Sequence, residues 1–351
     1  MNNRGAINMN KKLMIFALTT LTVLTFTGCS KQNKAVEELT PTDITEEYIE
    51  PIAPEIKNYL DSYINTNERP IAVMIDNDNK DARPQAGLDE AYLMYEMPVE
   101  GGATRFMVLF RNTNTEKIGP VRSSRHYFLD FVKENDAIYT HYGWSPKASQ
   151  DISKFGVNNI NGVSGAAGNV FWRERKFKGD WHSAYTSIER IKERASNRGY
   201  KSETDTKNEI KYSTEYINLP EENIATEITL PYAGMYKTGY KYNAETGLYE
   251  KQINNAPHTM QNGNVLSFKN IIVELIADKP LGDGSARREI ITSGSGNGYY
   301  FTNGAFEEIT WSKASRTEPT VYKKTDGEEL LINPGNTIIN IISPSLGVSI
   351  Q

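Results

Sequence analysis

Two arginines and two serines stand together in the run Arg122-Ser123-Ser124-Arg125, just before a stretch with helical periodicity. The first turn of a helix leaves backbone N–H groups unpaired and carries a positive partial charge. Arginine side chains add planar sets of donors that match carboxylate and phosphate groups. These residue types and their spacing predict an anion-binding site to which Arg122, Ser123 and Arg125 contribute.

Four further residues are expected at the same site. Glu96, Glu100 and Arg105 lie in and around one connection between predicted strands. This connection contains a glycine pair, which permits unusual backbone angles and the close approach of a ligand. His141 precedes the next predicted helix start. If the strands are parallel here, both helix starts face one cleft, and the side chains can meet there.

A purely structural role for these residues remains open. Arg122 and Arg125 can pair with Asp130 or Asp136 at the surface. His141 can be a hydrogen-bonded residue of the core. The glycine pair can simply form a turn.

The two glutamates also support a second hypothesis, a cell-wall glycan hydrolase or lyase. Two carboxyl groups can serve as general acid and base when a cleft holds them at a suitable distance. Glu96 or Glu100 would then be the acid, and His141 or Asp130 the base. The sequence has no Ser-His-Asp set with a nucleophile elbow, and its 4 histidines lack metal-ligand spacing. We therefore favour a binding protein without a metal or cofactor.

The elements that must position these residues alternate between strands and helices over residues 69–200. The predicted strands are Ile71–Ile75, Tyr92–Glu96, Arg105–Phe110 and Ala137–His141. The predicted helices run from Ser123 or Ser124 to Asn135, from Ser145-Pro146 to Gly156, and from Thr186 to Gly199. This order predicts an α/β domain whose polar loops gather at one edge of a sheet.

The second half of the chain has the pattern of a β domain. Residues 201–224 are polar and are predicted to connect the two domains. Over 225–351, short apolar runs alternate with pairs typical of hairpin turns. These pairs are Thr246-Gly247, Asn262-Gly263, Asn297-Gly298, Asn303-Gly304 and Asp326-Gly327. We predict a mostly β C-terminal domain, a sandwich or a roll, and an α+β protein overall.

Cys29 is the only cysteine, and it closes a bacterial lipoprotein signal. The apolar run from Leu13 to Phe26 is too short to span a bilayer, and Thr27-Gly28 supplies small residues before the thiol. We predict a signal peptide over 1–28 and lipid attachment at Cys29. A plain secretory signal with a chance cysteine is the alternative.

Residues 29–68 are predicted to form the lipidated cysteine and a flexible tether, with a short helix around Pro54 to Tyr63. The segment is rich in Glu, Thr, Pro and Asn and has little apolar periodicity. As a coil it would span roughly 35 Å. The folded part would then stand at the extracytoplasmic face of the cell membrane. The formal charge of −5 argues against a nucleic-acid partner, which requires a basic surface.

Several motifs in order resemble the YerB-like bacterial lipoproteins. The segments that carry the resemblance are 69–77, 82–88, Glu100-Gly101-Gly102-Ala103-Thr104-Arg105, Gly119-Pro120-Val121-Arg122-Ser123-Ser124-Arg125, 294–300 and 309–313. The resemblance implies an N-terminal and a distinct C-terminal domain. It implies a membrane location without giving a chemistry, because this is a family of unknown function.

The sequence therefore predicts a membrane-anchored extracytoplasmic lipoprotein that binds a ligand through an arginine-rich cleft. The expected ligand is a wall glycan, an anionic cell-wall polymer or an envelope protein. The membrane is the expected partner of the lipid at Cys29.

Overall fold

Strands and helices alternate in the first half of the described chain, and strands dominate the second half. The computed structural model describes residues 52–206, 210–233 and 236–351. Within these ranges the α-helices are α1 (Pro54–Tyr59), α2 (Phe128–Glu134), α3 (Pro146–Lys154) and α4 (Ile188–Asn197). The strands are β1 (Ile71–Asn77), β2 (Leu93–Pro98), β3 (Thr104–Phe110), β4 (Ile138–His141), β5 (Asn159–Asn161), β6 (Trp172–Arg173), β7 (Ala184–Tyr185), β8 (Lys211–Tyr212), β9 (Glu227–Ala233), β10 (Tyr236–Asn243), β11 (Leu248–Ile253), β12 (Ala256–Pro257), β13 (Ser267–Phe268), β14 (Asn270–Leu275), β15 (Asp278–Pro280), β16 (Arg288–Ile290), β17 (Gly294–Thr302), β18 (Ala305–Lys313), β19 (Thr320–Lys324), β20 (Leu331–Ile332), β21 (Thr337–Ile342) and β22 (Ser349–Ile350).

The main sheet contains ten strands in the order β19-β18-β17-β14-β21-β2-β3-β1-β4-β5. It is mixed: β1, β4 and β5 are parallel, whereas β3 is antiparallel to both β1 and β2. β21 pairs in parallel with β2 on one side and with β14 on the other. Strands from both halves of the chain therefore form one continuous sheet. The predicted fold class is confirmed, because an α/β region with a mixed sheet is followed by a mostly β region.

Each face of the main sheet is covered by a different layer. α2 covers one face, which we call the helical face; its packing residues include Met74, Met107, Phe128, Phe131 and Ile339. α4 and a second sheet, with the order β12-β11-β10-β9-β22, cover the other face. The residues packed on that side include Val73, Phe106, Ile228, Tyr240 and Ile271. Because side chains alternate along a strand, neighbouring residues of β1, β2 and β3 belong to different cores.

Two of the three predicted helices begin later than the sequence indicated. α2 begins at Phe128 and has no side-chain cap, so the predicted caps at Ser123 and Ser124 are wrong. Ser123 Oγ instead donates to Tyr142 O. α3 is confirmed, with Ser145 as its cap. α4 is capped by Ser187, one residue after the predicted cap.

The N-terminal part of the described chain is more ordered than a tether. Residues 52–68 include α1, and Ile56 and Leu60 are buried in the fold. The predicted short helix around Pro54 to Tyr63 is confirmed as α1, whereas the prediction of a flexible tether up to residue 68 is wrong over this stretch. Cys29 and the predicted signal over 1–28 lie outside the described residues. Within the described residues, no helix has both the length and the apolarity to cross a bilayer.

Most of the predicted hairpin turns lie where the sequence placed them. Thr246-Gly247 joins β10 to β11, and Asn303-Gly304 joins β17 to β18. Asn297-Gly298 is an exception, because it lies inside β17. There Gly298 faces the carbonyl oxygen of Val273, which would lie 2.3 Å from an added Cβ. This glycine is required by close backbone approach rather than by a turn.

Candidate functional site

Charged side chains gather at the carboxyl end of β1, on the helical face of the main sheet. We call this group the arginine cluster; its members are Asp76, Glu100, Arg105, Arg122, Arg125 and His182. Asp76 and Arg105 are directly paired residues of β1 and β3. They occupy the alternation that places Met74 and Met107 on the helical face. The strand end thus supplies the floor of the cluster.

Asp76 is the buried centre of the cluster. His182 Nδ1 donates to Asp76 Oδ2 at 2.6 Å, and Arg122 Nε lies 2.9 Å from the same oxygen. Burial alone would raise the pKa of Asp76, but the hydrogen bond from His182 and the charge of Arg122 hold it below its usual value. The same hydrogen bond raises the pKa of His182. Asp76 therefore orients two cationic side chains.

Arg122 is held by the backbone as well as by Asp76. Its N–H donates to Met74 O at 2.9 Å, which fastens the segment before α2 along β1. The side chain is 25% exposed. Its terminal nitrogens donate to no protein acceptor within the described ranges. Arg122 consequently presents guanidinium donors towards solvent.

Arg125 and Glu100 form a second, bidentate pair. Arg125 Nε donates to Glu100 Oε2 at 2.9 Å, and a shorter bond joins the other two atoms of the fork. The third nitrogen of Arg125 donates to Ser124 O at 2.8 Å. Partial burial would raise the pKa of Glu100, but its bonds to Arg125 lower it to about 2. Each of the three guanidinium nitrogens of Arg125 therefore donates to an acceptor of the protein itself.

Arg105 lies between the two pairs. One terminal nitrogen donates to Ser123 O at 2.6 Å, while Arg105 Nε is buried without a hydrogen-bond partner. Burial and the charge of Arg125 lower the pKa of Arg105 to about 10. Three arginines share the cluster with two carboxylates, Asp76 and Glu100, so its formal charge is positive even with His182 neutral, and an anion would offset this charge.

Glu96 lies outside the cluster, although the sequence placed it there. β2 pairs Arg105 with Met97, so the side chain of Glu96 points to the opposite face of the sheet. There Lys251 Nζ donates to Glu96 Oε2 at 2.7 Å, and both side chains are fully buried. Thr104, Tyr236 and Thr238 donate to the other carboxylate oxygen. The carboxylate is fully satisfied and has no contact with solvent.

His141 is also separated from the cluster. It is fully buried, and its ring nitrogens lie 2.8 Å from Gly143 O and 3.2 Å from Asn159 Oδ1. Burial lowers the pKa of His141 to about 4. Ser123 contributes only its backbone carbonyl to the cluster, through Arg105. The structure therefore unites four predicted site residues, which are Glu100, Arg105, Arg122 and Arg125.

These environments weigh against the catalytic hypothesis. A general acid needs a raised pKa, whereas that of Glu100 is lowered. Glu96 is enclosed by its own hydrogen bonds. Asp130 has a pKa raised by burial to about 6, but Arg316 Nε binds it at 2.9 Å, away from either glutamate. Within the described ranges, no three His, Cys, Asp or Glu residues are close enough to hold a metal ion.

Asp76 and His182 are the functional candidates that sequence reasoning missed. Asp76 directly follows the predicted strand Ile71–Ile75, and His182 lies in a segment for which no element was predicted. They are 106 positions apart and meet only in the folded chain. The one available signal was the position of Asp76 at the carboxyl end of an apolar strand, where ligands of α/β sheets often bind.

A cavity of about 400 Å³ adjoins the turn that carries Glu100. Its lining includes Gly101, Gly102, Asp278 and Arg288. The volume of the cavity lies in the range of small-ligand sites. None of the six residues of the arginine cluster lines it, so the cavity is a neighbouring space and not a part of the cluster.

Comparisons with known proteins agree with the resemblance drawn from the motifs. The family described as protein of unknown function (DUF3048) matches with its N-terminal domain at residues 60–201 and its C-terminal domain at 228–339. The "Putative lipoprotein YerB" of Bacillus subtilis (strain 168) is 32% identical over 281 residues, 79% of this chain and 82% of that protein. The crystal structure of YerB protein from Bacillus subtilis covers 81% of this chain and 94% of its own, with 30% identity and a TM-score of 0.72. The predicted relationship to the YerB-like lipoproteins is confirmed.

Proposed function

The chain belongs to the DUF3048 family, and from this premise we propose that it is a lipoprotein, anchored through Cys29, that binds an anionic ligand of the cell envelope at the arginine cluster. The similarity to a protein described as a "Putative lipoprotein" supports the anchor. The extracytoplasmic orientation and the identity of the ligand as a wall polymer are parts of this proposal.

The observation that carries the proposal is the unequal use of the three arginines. Arg125 spends all its nitrogens on protein acceptors, whereas Arg122 exposes its terminal donors and Arg105 keeps a buried Nε unpaired. A buried donor without a partner costs free energy, about 1–3 kcal/mol. A phosphate or carboxylate that accepts from Arg122 and reaches Arg105 would remove this cost and neutralise the surplus charge.

The preorganisation of Arg122 supports a binding role rather than a purely structural one. Its backbone is fixed to β1 and its Nε to Asp76, so little side-chain entropy remains to be lost when an anion binds. Buried ion pairs can often be replaced by apolar residues with no loss of stability. Stability alone therefore gives little reason to keep two cations on one buried carboxylate.

A sedimentation assay tests the proposal. The mature chain carrying Cys29→Ser would be mixed with purified peptidoglycan that retains its phosphate-rich polymer, and with the same peptidoglycan after removal of the polymer. We expect retention only by the former, because the predicted contacts are to anions. Arg122→Ala should weaken retention tenfold to a hundredfold, since charge-assisted hydrogen bonds contribute about 1.5–3 kcal/mol.

Arg287→Ala is the matched control. Arg287 is a comparably exposed arginine, at 32%, and it also pairs with one aspartate, Asp283. Loss of retention in Arg122→Ala but not in Arg287→Ala would support the cluster as the site. Equal retention by all three proteins would refute it, and release of soluble glycan would favour the hydrolase or lyase hypothesis.

A further inference from the structure

A short hairpin that belongs to neither of the two sheets carries exposed aromatic and basic side chains. β6 and β7 form its base, where Trp172 pairs with Tyr185 and Arg173 with Ala184. Residues 174–183 form its tip. We refer to residues 172–185 as the basic hairpin.

The tip of the basic hairpin has a defined conformation. Asp180 is buried and accepts from the backbone N–H groups of Lys176, at 3.0 Å, and His182, at 2.8 Å. Lys176 Nζ donates to Asp81 O and Arg83 O, which fastens the tip to the loop after β1. The side chains that the tip exposes are therefore held outward by the fold.

Two of these side chains are large and apolar. Phe177 is 51% exposed and Trp181 is 71% exposed. Trp181 is more exposed than the other apolar residues recorded as exposed within the described ranges. Exposed apolar surface of this kind is typical of sites that contact a membrane or another protein.

The charge around these aromatics is positive, in contrast to the chain as a whole. Residues 174–178 contain three cationic side chains and one acidic side chain, Glu174. Glu174 is paired with Lys117 at 2.6 Å. Within the described ranges, the side chains of Arg175 and Lys178 form no ion pair or hydrogen bond. The complete chain carries a formal charge of −5, so this positive tip is a local feature.

We propose that the basic hairpin inserts into the interfacial layer of a bilayer that contains anionic phospholipids. Exposed Trp and Phe supply apolar surface for the headgroup boundary. Arg175 and Lys178 meet the phosphates, and their aliphatic stems cover apolar surface. An anionic sugar polymer would pair with the cations but would offer no apolar phase to Phe177. The inference uses the membrane location in the proposed function; of the hairpin only His182 belongs to the arginine cluster, and the inference does not use it.

Vesicle sedimentation tests this contact without the lipid anchor. The mature chain with Cys29→Ser would be mixed with vesicles of phosphatidylcholine, alone or with an equal share of phosphatidylglycerol. We expect binding only to the anionic vesicles. Phe177→Ser/Trp181→Ser should lower the partition coefficient at least tenfold. Arg175→Gln/Lys178→Gln should lower it about fivefold for each cation removed.

Two controls separate this inference from the proposed function. Trp144→Ser removes another exposed tryptophan, 42% exposed and outside the hairpin, and should bind vesicles like the parent. Arg122→Ala should also keep vesicle binding, even if it loses the wall polymer. No binding to anionic vesicles, or unchanged binding by both hairpin double variants, would overturn the inference. Loss of peptidoglycan sedimentation by the hairpin variants, without vesicle binding, would also overturn it and indicate a polyanionic polymer as the partner.

Discussion

The buried pair of Glu96 and Lys251 tests whether Glu96 has a structural role rather than a ligand-binding one. Both side chains are fully buried, and their charged atoms lie 2.7 Å apart. Lys251→Met would remove the cation and leave a methionine of similar length. The carboxylate of Glu96 would then remain buried without its counterion.

The size of the effect follows from the geometry. At an effective dielectric constant of about 20, two charges at this separation attract by roughly 6 kcal/mol, an upper bound on the interaction. Breaking one partner of a buried pair costs about 3–5 kcal/mol in unfolding free energy. Glu96 keeps its bonds from Thr104, Tyr236 and Thr238, so we expect a loss near the lower figure, about 3 kcal/mol. That is a large part of the 5–15 kcal/mol that typically stabilises a domain.

Urea unfolding followed by tryptophan fluorescence measures this loss. Lys241→Met is the control, because Lys241 is 58% exposed and pairs with Glu227 at 3.2 Å. It should cost less than about 1 kcal/mol. Glu96→Gln combined with Lys251→Met should recover part of the loss, since the amide needs no counterion. Equal costs for Lys251→Met and Lys241→Met would refute the assignment of Glu96 as a structural carboxylate.

Three further predictions concern charge at other sites. Binding of the phosphate-rich polymer should weaken as pH rises through the raised pKa of His182, because the proton that Asp76 stabilises is lost. Measuring binding against pH checks this, and the binding of His182→Gln should be weak and independent of pH. Burial raises the pKa of Glu274, which lies next to Tyr322, to about 8 in the folded protein. The free energy of unfolding should therefore fall as pH rises from the ordinary glutamate pKa towards that value, because the folded state still binds a proton that the unfolded state has lost, and it should level off above it. Glu274→Gln should flatten this region of a urea-stability profile, and an unchanged slope would contradict the prediction. Cys29→Ala should move the protein from the membrane to the soluble fraction on flotation, and continued retention would contradict the anchor.

The local elements were readable because their signals lie within a few residues. The apolar run at Ile71–Ile75 became part of β1, and Ser145 followed by proline marked the start of α3. The cap of α4 was missed by one residue because Thr186 and Ser187 are both suitable caps, and the start of α2 was missed because it has no side-chain cap. The shared main sheet could not be read, since the pairing of β21 with β2 joins residues more than 240 positions apart.

The composition of the site was only partly readable for the same reason. The run from Arg122 to Arg125 identified the cations, but Asp76 near the end of β1 was not predicted as a member of the site. Glu96 was placed at the site because it is near Glu100 in sequence. Strand alternation sends its side chain to the opposite face, where Lys251 comes from a strand 155 positions away. Proximity in sequence therefore predicted that Glu96 lies near the connection between β2 and β3, but not the face of the main sheet to which its side chain points.

The two ion-paired carboxylates on opposite faces show what distinguishes a structural charge from a binding charge in this fold. Glu96 receives donors on both oxygens and meets a lysine with no exposed surface, so nothing remains to attract a ligand. Asp76 is equally buried, yet the cations that it holds keep unused capacity: terminal donors on Arg122 and a second ring nitrogen on His182. Burying a carboxylate costs free energy, and the charge of Asp76 orients cations towards solvent. Its role is therefore to position these cations rather than to stabilise the core. For this reason we place the ligand at the carboxyl end of β1.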